Sequence, residues 1–264
     1  MTLTTDGGAI DPALAVVTGA ASGVGRAAAE ALVARGTAVV AVDLGAASAG
    51  LDGAGVDWVR GDVAEDATWE AVAAACARCD PRGPGALVAC AGTIVVRPFL
   101  ETGLDDFRRL FEVNVLGVVR GMQALLPGMV ARGGGAVAVV CSVDSFIVEQ
   151  EMSAYATSKA ALLHAVRSAA LEHARDGVRI NAVCPGAIET PLLQRHFDQL
   201  EDPAAARAAM ARRTPVGRIL EPREVAEALC FLVGPGASGL SGAAITVDGG
   251  LTTAAEYDHP PRAA

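Results

Sequence analysis

The chain has 264 residues, 52% of them hydrophobic and 19% charged, so it can bury a sizeable core, and one α/β domain is a better expectation than two. Its net charge of -9 argues against nucleic acid as a partner, because binding phosphates takes clustered positive charge. No apolar run approaches the roughly 18 residues that would span a bilayer, and the opening MTLTTDGGAIDP lacks the basic and apolar regions of a signal peptide, so the expectation is a cytoplasmic protein with no membrane partner.

Short apolar, β-branched runs alternate with longer Ala-rich helical ones. The strand candidates are ALAVVT (13–18), TAVVAVD (37–43), VDWVRGD (56–62), GALVACAG (85–92), GAVAVVCS (135–142), VRINAVCPG (178–186) and GAAITVDGG (242–250). Most are continuously apolar, the pattern of strands buried on both faces of a parallel sheet. Helices are expected near 24–35, 65–79, 104–131, 153–176 and 222–233. This repeated β–α–β order predicts a doubly wound, seven-stranded parallel sheet with helices on both faces. The domain spans 13–251, with an N-terminal extension at 1–12, a polar C-terminal tail at 252–264, and a mobile helical insertion at 187–221. Six cysteines fall mostly in apolar contexts. CARC at 76–79 has C-x-x-C spacing but no second pair and no nearby histidine, so free thiols are expected and no metal site.

Directly after the first strand comes TGAASGVG, Thr18 to Gly25, running into a helix. Gly19, Gly23 and Gly25 permit a tight turn and close approach of backbone to a ligand, and Ser22 and Val24 complete the loop. The helix behind them directs unpaired N–H groups and a positive dipole end toward a pyrophosphate. Asp43 ends the second strand, where a carboxylate can accept both ribose hydroxyls of an adenosine and would repel a 2′-phosphate. Leu44 follows it and no basic residue replaces it, so NAD is expected in preference to NADP. Asp62 and Val63, at the end of the third strand, are placed to meet the adenine.

Tyr155 and Lys159 are four residues apart on an expected helix and therefore share a face. Lys159 is the only lysine of the chain, and Tyr155 one of two tyrosines. A phenol of pKa about 10 is a poor base near neutrality. A fixed ammonium nearby favours the phenolate, and so does a positively charged oxidised nicotinamide. The pair suits proton exchange with an alcohol oxygen.

Taken together, TGAASGVG, Asp43, GDV at 61–63, NVLG at 114–117, Ser142, YATSK, PGAIET at 185–190 and VDGG at 247–250 resemble a classical short-chain dehydrogenase/reductase. The resemblance implies a Rossmann-type fold and a catalytic tetrad of Asn114, Ser142, Tyr155 and Lys159. In that scheme Tyr155 exchanges the proton, Ser142 holds the substrate oxygen, Lys159 lowers the tyrosine pKa and binds the nicotinamide ribose, and Asn114 holds a water in the proton relay. It also implies cofactor contacts from Ala91, Gly92, Pro185, Gly186, Ile188 and Thr190, and a homotetramer paired through the helices at 104–131 and 153–176. Gly117, Gly121, Ala154, Ala161 and Ala165 would allow that close pairing. Substrate contacts are expected from Ile94, Ser142, Asp144, Glu149, Met152 and Tyr155, and both an apolar ring and a polyol are compatible. Where the family usually has Asn-Asn-Ala-Gly this chain has Ala89-Cys90-Ala91-Gly92, which removes two amides expected to brace the sheet. The expected activity is NAD-dependent interconversion of a secondary alcohol and a ketone. An NADPH ketoreductase and a non-catalytic dinucleotide-binding regulator are the alternatives, since a fold does not fix an activity.

Overall fold

The computed structural model describes residues 13–47, 51, 53 and 55–253. Seven strands, β1 (Leu14–Thr18), β2 (Ala38–Asp43), β3 (Val56–Arg60), β4 (Ala86–Ala89), β5 (Gly135–Val140), β6 (Val178–Pro185) and β7 (Ala244–Val247), form one sheet. Every pairing is parallel, in the order β3-β2-β1-β4-β5-β6-β7. Parallel neighbours need crossovers, and helices supply all but the one from β2 to β3, where the described residues form none: α1 (Gly23–Ala34), α2 (Asp66–Cys79), α3 (Leu104–Phe111), α4 (Gly117–Ala131), α5 (Ser153–His173), α6 (Pro191–Phe197), α7 (Pro203–Arg213) and α8 (Pro222–Val233).

The continuous apolar strands have a partner on each side. Leu14 and Val16 of β1 pack with Trp69 and Val72 of α2, Met122 and Leu125 of α4, and Leu162 and Val166 of α5. Ala15 and Val17 point the other way, toward Ala28 and Leu32 of α1 and Val225 and Leu229 of α8. Successive strand residues thus serve two cores. The chain winds outward from β1 to β3, then returns to the other side of β1 as β4. That reversal opens a crevice at the carboxyl ends of β1 and β4, the usual ligand position in such sheets.

The stretch 104–131 is helical throughout, yet a π-helical turn at Glu112–Leu116 divides it. By length and composition this run is apolar enough to cross a membrane, but half of its most apolar window is buried inside the protein. The sequence reading also has to be corrected on its small residues. Gly117 and Gly121 do not offer an outer packing face. A Cβ on Gly117 would stand 2.9 Å from Val63, and one on Gly121 would stand 2.4 Å from the Trp69 ring. Both glycines close α4 onto α2 and the turn before it, and Ala154 is buried as well.

The segment 187–221 leaves the sheet and returns to its starting point. Glu189 N–H donates to Leu220 O at 2.8 Å and Leu220 N–H to Ala187 O at 3.1 Å. Between these ends α6 and α7 each begin on a proline, capped by the side chains of Thr190 and Asp202. All six cysteines are free. Within CARC, Cys76 is buried on α2 while Cys79 is exposed. Burial pushes the Cys76 thiol up to about 12. Residues 1–12 and 254–264 lie outside the described residues.

Candidate active site

The loop after β1 is built for backbone approach. Gly19 N–H donates to Val42 O at 2.9 Å, and Gly19 takes a φ of 70°. A Cβ on Gly25 would stand 2.2 Å from Gly19 O, so only glycine lets the first turn of α1 lie on the loop. Ser22 caps α1 without a side-chain hydrogen bond, and no acidic residue occupies the first turn. The N–H groups there remain available to an anion. Asp43 is pinned beside this loop, accepting from Ala21 N–H at 2.9 Å and Gly45 N–H at 2.8 Å, one bond on each carboxylate oxygen. Glycine loop, uncapped helix start and fixed acid fit a dinucleotide. Asp62 accepts from Ala64 N–H at 2.9 Å. The Val63 side chain is turned into the core beneath Gly117, and its carbonyl accepts from Trp69 Nε1 at 2.9 Å. Core packing thus claims that side chain, and an adenine contact from Val63 would come from its backbone N–H.

With Ala89 and Cys90 in place of two amides, the end of β4 is held through its backbone. Thr18 Oγ1 accepts from both Cys90 N–H and Ala91 N–H at 3.1 Å. This hydroxyl ties the end of β1 to the end of β4 and holds the backbone at Ala91-Gly92 against the loop. Desolvation pushes the Cys90 thiol up to about 12, so it is a neutral filler.

Three members of the expected tetrad meet at the carboxyl end of β5. Ser142 follows that strand; Tyr155 and Lys159 stand one turn apart near the start of α5. Lys159 is 4% exposed, donates to Val140 O at 2.8 Å, and its Nζ lies 5.7 Å from the centroid of the Tyr155 ring. Burial lowers the Lys159 pKa. Burial raises that of Tyr155 above the ordinary phenol range, with the Asp144 charge acting in the same direction and the Ser142 hydroxyl opposing. The lysine therefore does not by itself outweigh burial, and the protein's own groups hold Tyr155 as the phenol. Asn114 is fully buried in the π-helical turn. Its Nδ2 donates to Thr93 O and Ser158 Oγ, both at 3.0 Å, and its Oδ1 accepts from Thr93 N–H at 2.8 Å. Its amide hydrogens are both used, so the side chain clasps the β4 loop to α5; a relay water would be left the second lone pair of Oδ1 and the backbone carbonyl. Asn181 is likewise structural, bonding Leu240 O and Ala243 N–H between β6 and the turn before β7.

One cavity of ≈ 760 Å³ joins these groups. Its lining includes the loop residues Gly19, Ser22, Gly23, Val24 and Gly25, together with Pro185, Gly186, Ile188 and Thr190, and Gly92, Ile94, Ser142, Asp144, Glu149, Met152, Tyr155 and Lys159. Asp43, Leu44, Asp62, Val63, Ala91 and Asn114 do not line it. Sequence reasoning missed Arg213, Thr214 and Leu251, which also reach the cavity. Arg213 arrives from α7 and pairs with Glu149 at 2.8 Å, across 64 positions of chain. No local spacing signals such a contact.

A family model described as enoyl-(acyl carrier protein) reductase matches residues 19–252. A cis-4-hydroxycyclohexanecarboxylate dehydrogenase from Sinomonas cyclohexanicum is 39% identical over 248 residues, covering 90% of this chain and 96% of that one. A 2-(R)-hydroxypropyl-CoM dehydrogenase from Xanthobacter autotrophicus is 36% identical, with 90% of this chain and 98% of that protein covered. In structure, the aldohexose dehydrogenase of Thermoplasma acidophilum superposes with a TM-score of 0.86 at 29% identity, covering 94% of this chain and 97% of the other. By sequence over nearly all of its described length, the chain belongs to the short-chain dehydrogenase/reductase family, oxidoreductases that use a nicotinamide dinucleotide.

Proposed function

We propose that the protein is an NAD-dependent dehydrogenase that interconverts a secondary alcohol and a ketone. The observation that carries this reading is the convergence of Ser142, Tyr155 and Lys159 on the same cavity as the glycine loop. A bound dinucleotide supplies the hydride acceptor or donor, and in its oxidised form the positive charge that counters the burial of Tyr155. Tyr155 takes the proton from the alcohol oxygen or returns it to the ketone oxygen. Ser142 holds that oxygen by a hydrogen bond, and Lys159, anchored on Val140 O, keeps a compact ammonium beside the phenol. The α1 N-terminus receives the pyrophosphate and Asp43 the adenosine ribose.

The relatives named for a hydroxycyclohexanecarboxylate and for 2-(R)-hydroxypropyl-CoM support a secondary carbinol as the reacting group. Arg195, His196 and Arg213 at the cavity fit an acidic group elsewhere on the substrate. The test is turnover with a panel of 4-hydroxycyclohexanecarboxylate, 3-hydroxyacyl thioesters and simple 2-alkanols, each with NAD and with NADP. At least tenfold higher kcat/KM with NAD is expected, since a carboxylate facing a phosphate costs more than about 1.4 kcal/mol. Asp43→Ser narrows the ratio; equal use of both cofactors by the parent rules out the role given to Asp43. Domain limits of 13–251, a cytoplasmic location consistent with six free thiols, and a homotetramer complete the proposal.

A further inference from the structure

Asp144 is 5% exposed and lies in the 3₁₀ turn Val143–Ser145, directly after Ser142. Its Oδ2 is 3.0 Å from Ser142 Oγ, and its own N–H donates to that same Oγ at 3.1 Å. Its Oδ1 is sealed from solvent and has no hydrogen-bond partner among the described residues.

A serine hydroxyl has one proton and two lone pairs, whereas an ionised carboxylate can only accept. With Asp144 ionised, the single proton of Ser142 must point at Oδ2. A substrate oxygen would then face a lone pair of Oγ. With Asp144 neutral, the carboxyl proton goes to Oγ, whose other lone pair takes the Asp144 N–H. The serine proton is then free. The neutral acid also leaves Oδ1 as an uncharged carbonyl oxygen, which is less costly to bury without a partner than a share of a carboxylate charge.

We propose that Asp144 is a positioning residue: as the neutral acid it donates to Ser142 Oγ and turns the serine's own proton toward the oxygen of the substrate. This deepens the alcohol–ketone reading and rests on it, because the freed proton acts only on a carbonyl or alkoxide oxygen.

Burial, and after it the Glu149 charge, raise Asp144 above the ordinary carboxylate value, against the Ser142 hydroxyl and the backbone N–H groups of Glu149 and Asp144, which favour the charged form. From α5, Tyr155 and Lys159 face it; an ionised Asp144 would oppose the phenolate and support the ammonium. Cys141, at the end of β5, is a buried thiol engaged by Cys184. Arg213 meets this group only through its pair with Glu149.

The test uses the enzyme with NADH bound. A parent-minus-Asp144→Asn infrared difference spectrum at pH 7 is expected to show the carbonyl band of a protonated acid. In parallel, kcat for reduction of the ketone that turns over best in the panel is followed from pH 6 to 10. Asp144→Ala is expected to lose about tenfold, the size of one hydrogen bond made in the transition state. Asp144→Asn, whose amide also donates to Oγ, recovers most of that loss. It also moves the alkaline fall up by about one pH unit or more, because only the loss of the Tyr155 proton remains. Absence of the acid band, or an Asn variant as slow as the Ala variant, overturns the proposal. Tyr155→Phe is the control: a Phe variant at parental rate removes the reaction scheme, while the infrared band still decides where the Asp144 proton resides.

Discussion

Lys159 sits where a larger cation has little room. Its Nζ is held by Val140 O at 2.8 Å, and the residue is 4% exposed. An arginine would keep the charge, but its guanidinium is planar, broader and effectively never deprotonated. Lys159→Arg is expected to fold and assemble like the parent and to lose at least about a hundredfold in kcat, or about 2.7 kcal/mol of transition-state stabilisation. Rates at saturating NAD across pH 6 to 10 check this, and an Arg variant within a few fold would show that charge alone suffices. Tyr155→Phe should lose at least as much in kcat and still bind NADH, which cofactor fluorescence reads directly.

Among the elements, α4 owes its position to what it lacks. Gly121 rests on the Trp69 ring, which is 4% exposed and cannot swing away without breaking its bond to Val63 O. Gly121→Ala is therefore expected to destabilise the fold by about 1–3 kcal/mol through overpacking, measured by denaturant unfolding. Helix α8 depends instead on its first turn. Glu224 accepts from Glu221 N–H at 2.8 Å and takes both arms of the Arg218 guanidinium, at 2.7 and 2.8 Å. The guanidinium beside Glu224 holds its carboxyl down to about 2. A depressed folded-state value means stability that is present above the unfolded value and lost as pH falls toward the folded one. Glu224→Gln should cost about 1 kcal/mol near neutrality, no more because the pair is at the surface. The difference in Tm from the parent should shrink between pH 4.5 and about 2; a constant difference would show that the charge is not what matters.

For the whole molecule, the inward turn of Gly117 and Gly121 shifts the argument for assembly to other side chains. Leu104 and Leu116, 71% and 41% exposed, Leu171 of α5, 82% exposed, and the half-buried Ala161 and Ala165 are among the apolar groups left on these helices for a second copy. Apolar surface left on paired helices is covered most simply by a two-fold axis, and closed symmetry is the general rule. A homotetramer is expected, with a dimer next. Light scattering at micromolar concentration checks this, and a monomer there would refute it.

Local signals carried most of the fold. Continuous apolar strands, a glycine loop between a strand and a helix, and a tyrosine four residues before a lysine are short-range patterns, and chain geometry alone gives them meaning. They locate all seven strands, the loop and the Tyr155–Lys159 pair along the chain. Tertiary structure decided whatever depended on residues distant in sequence. It turned the Val63 side chain and the α4 glycines into the core, made the Asn114 and Asn181 side chains into clasps, and tied the backbone at Cys90 and Ala91 to Thr18. It also laid Arg213 against Glu149, and sealed Asp144 beside Ser142 in a depth of burial that a two-residue spacing does not reveal. A sequence pattern tells which way a side chain points from its own element; what it meets there is set by the packing of the others.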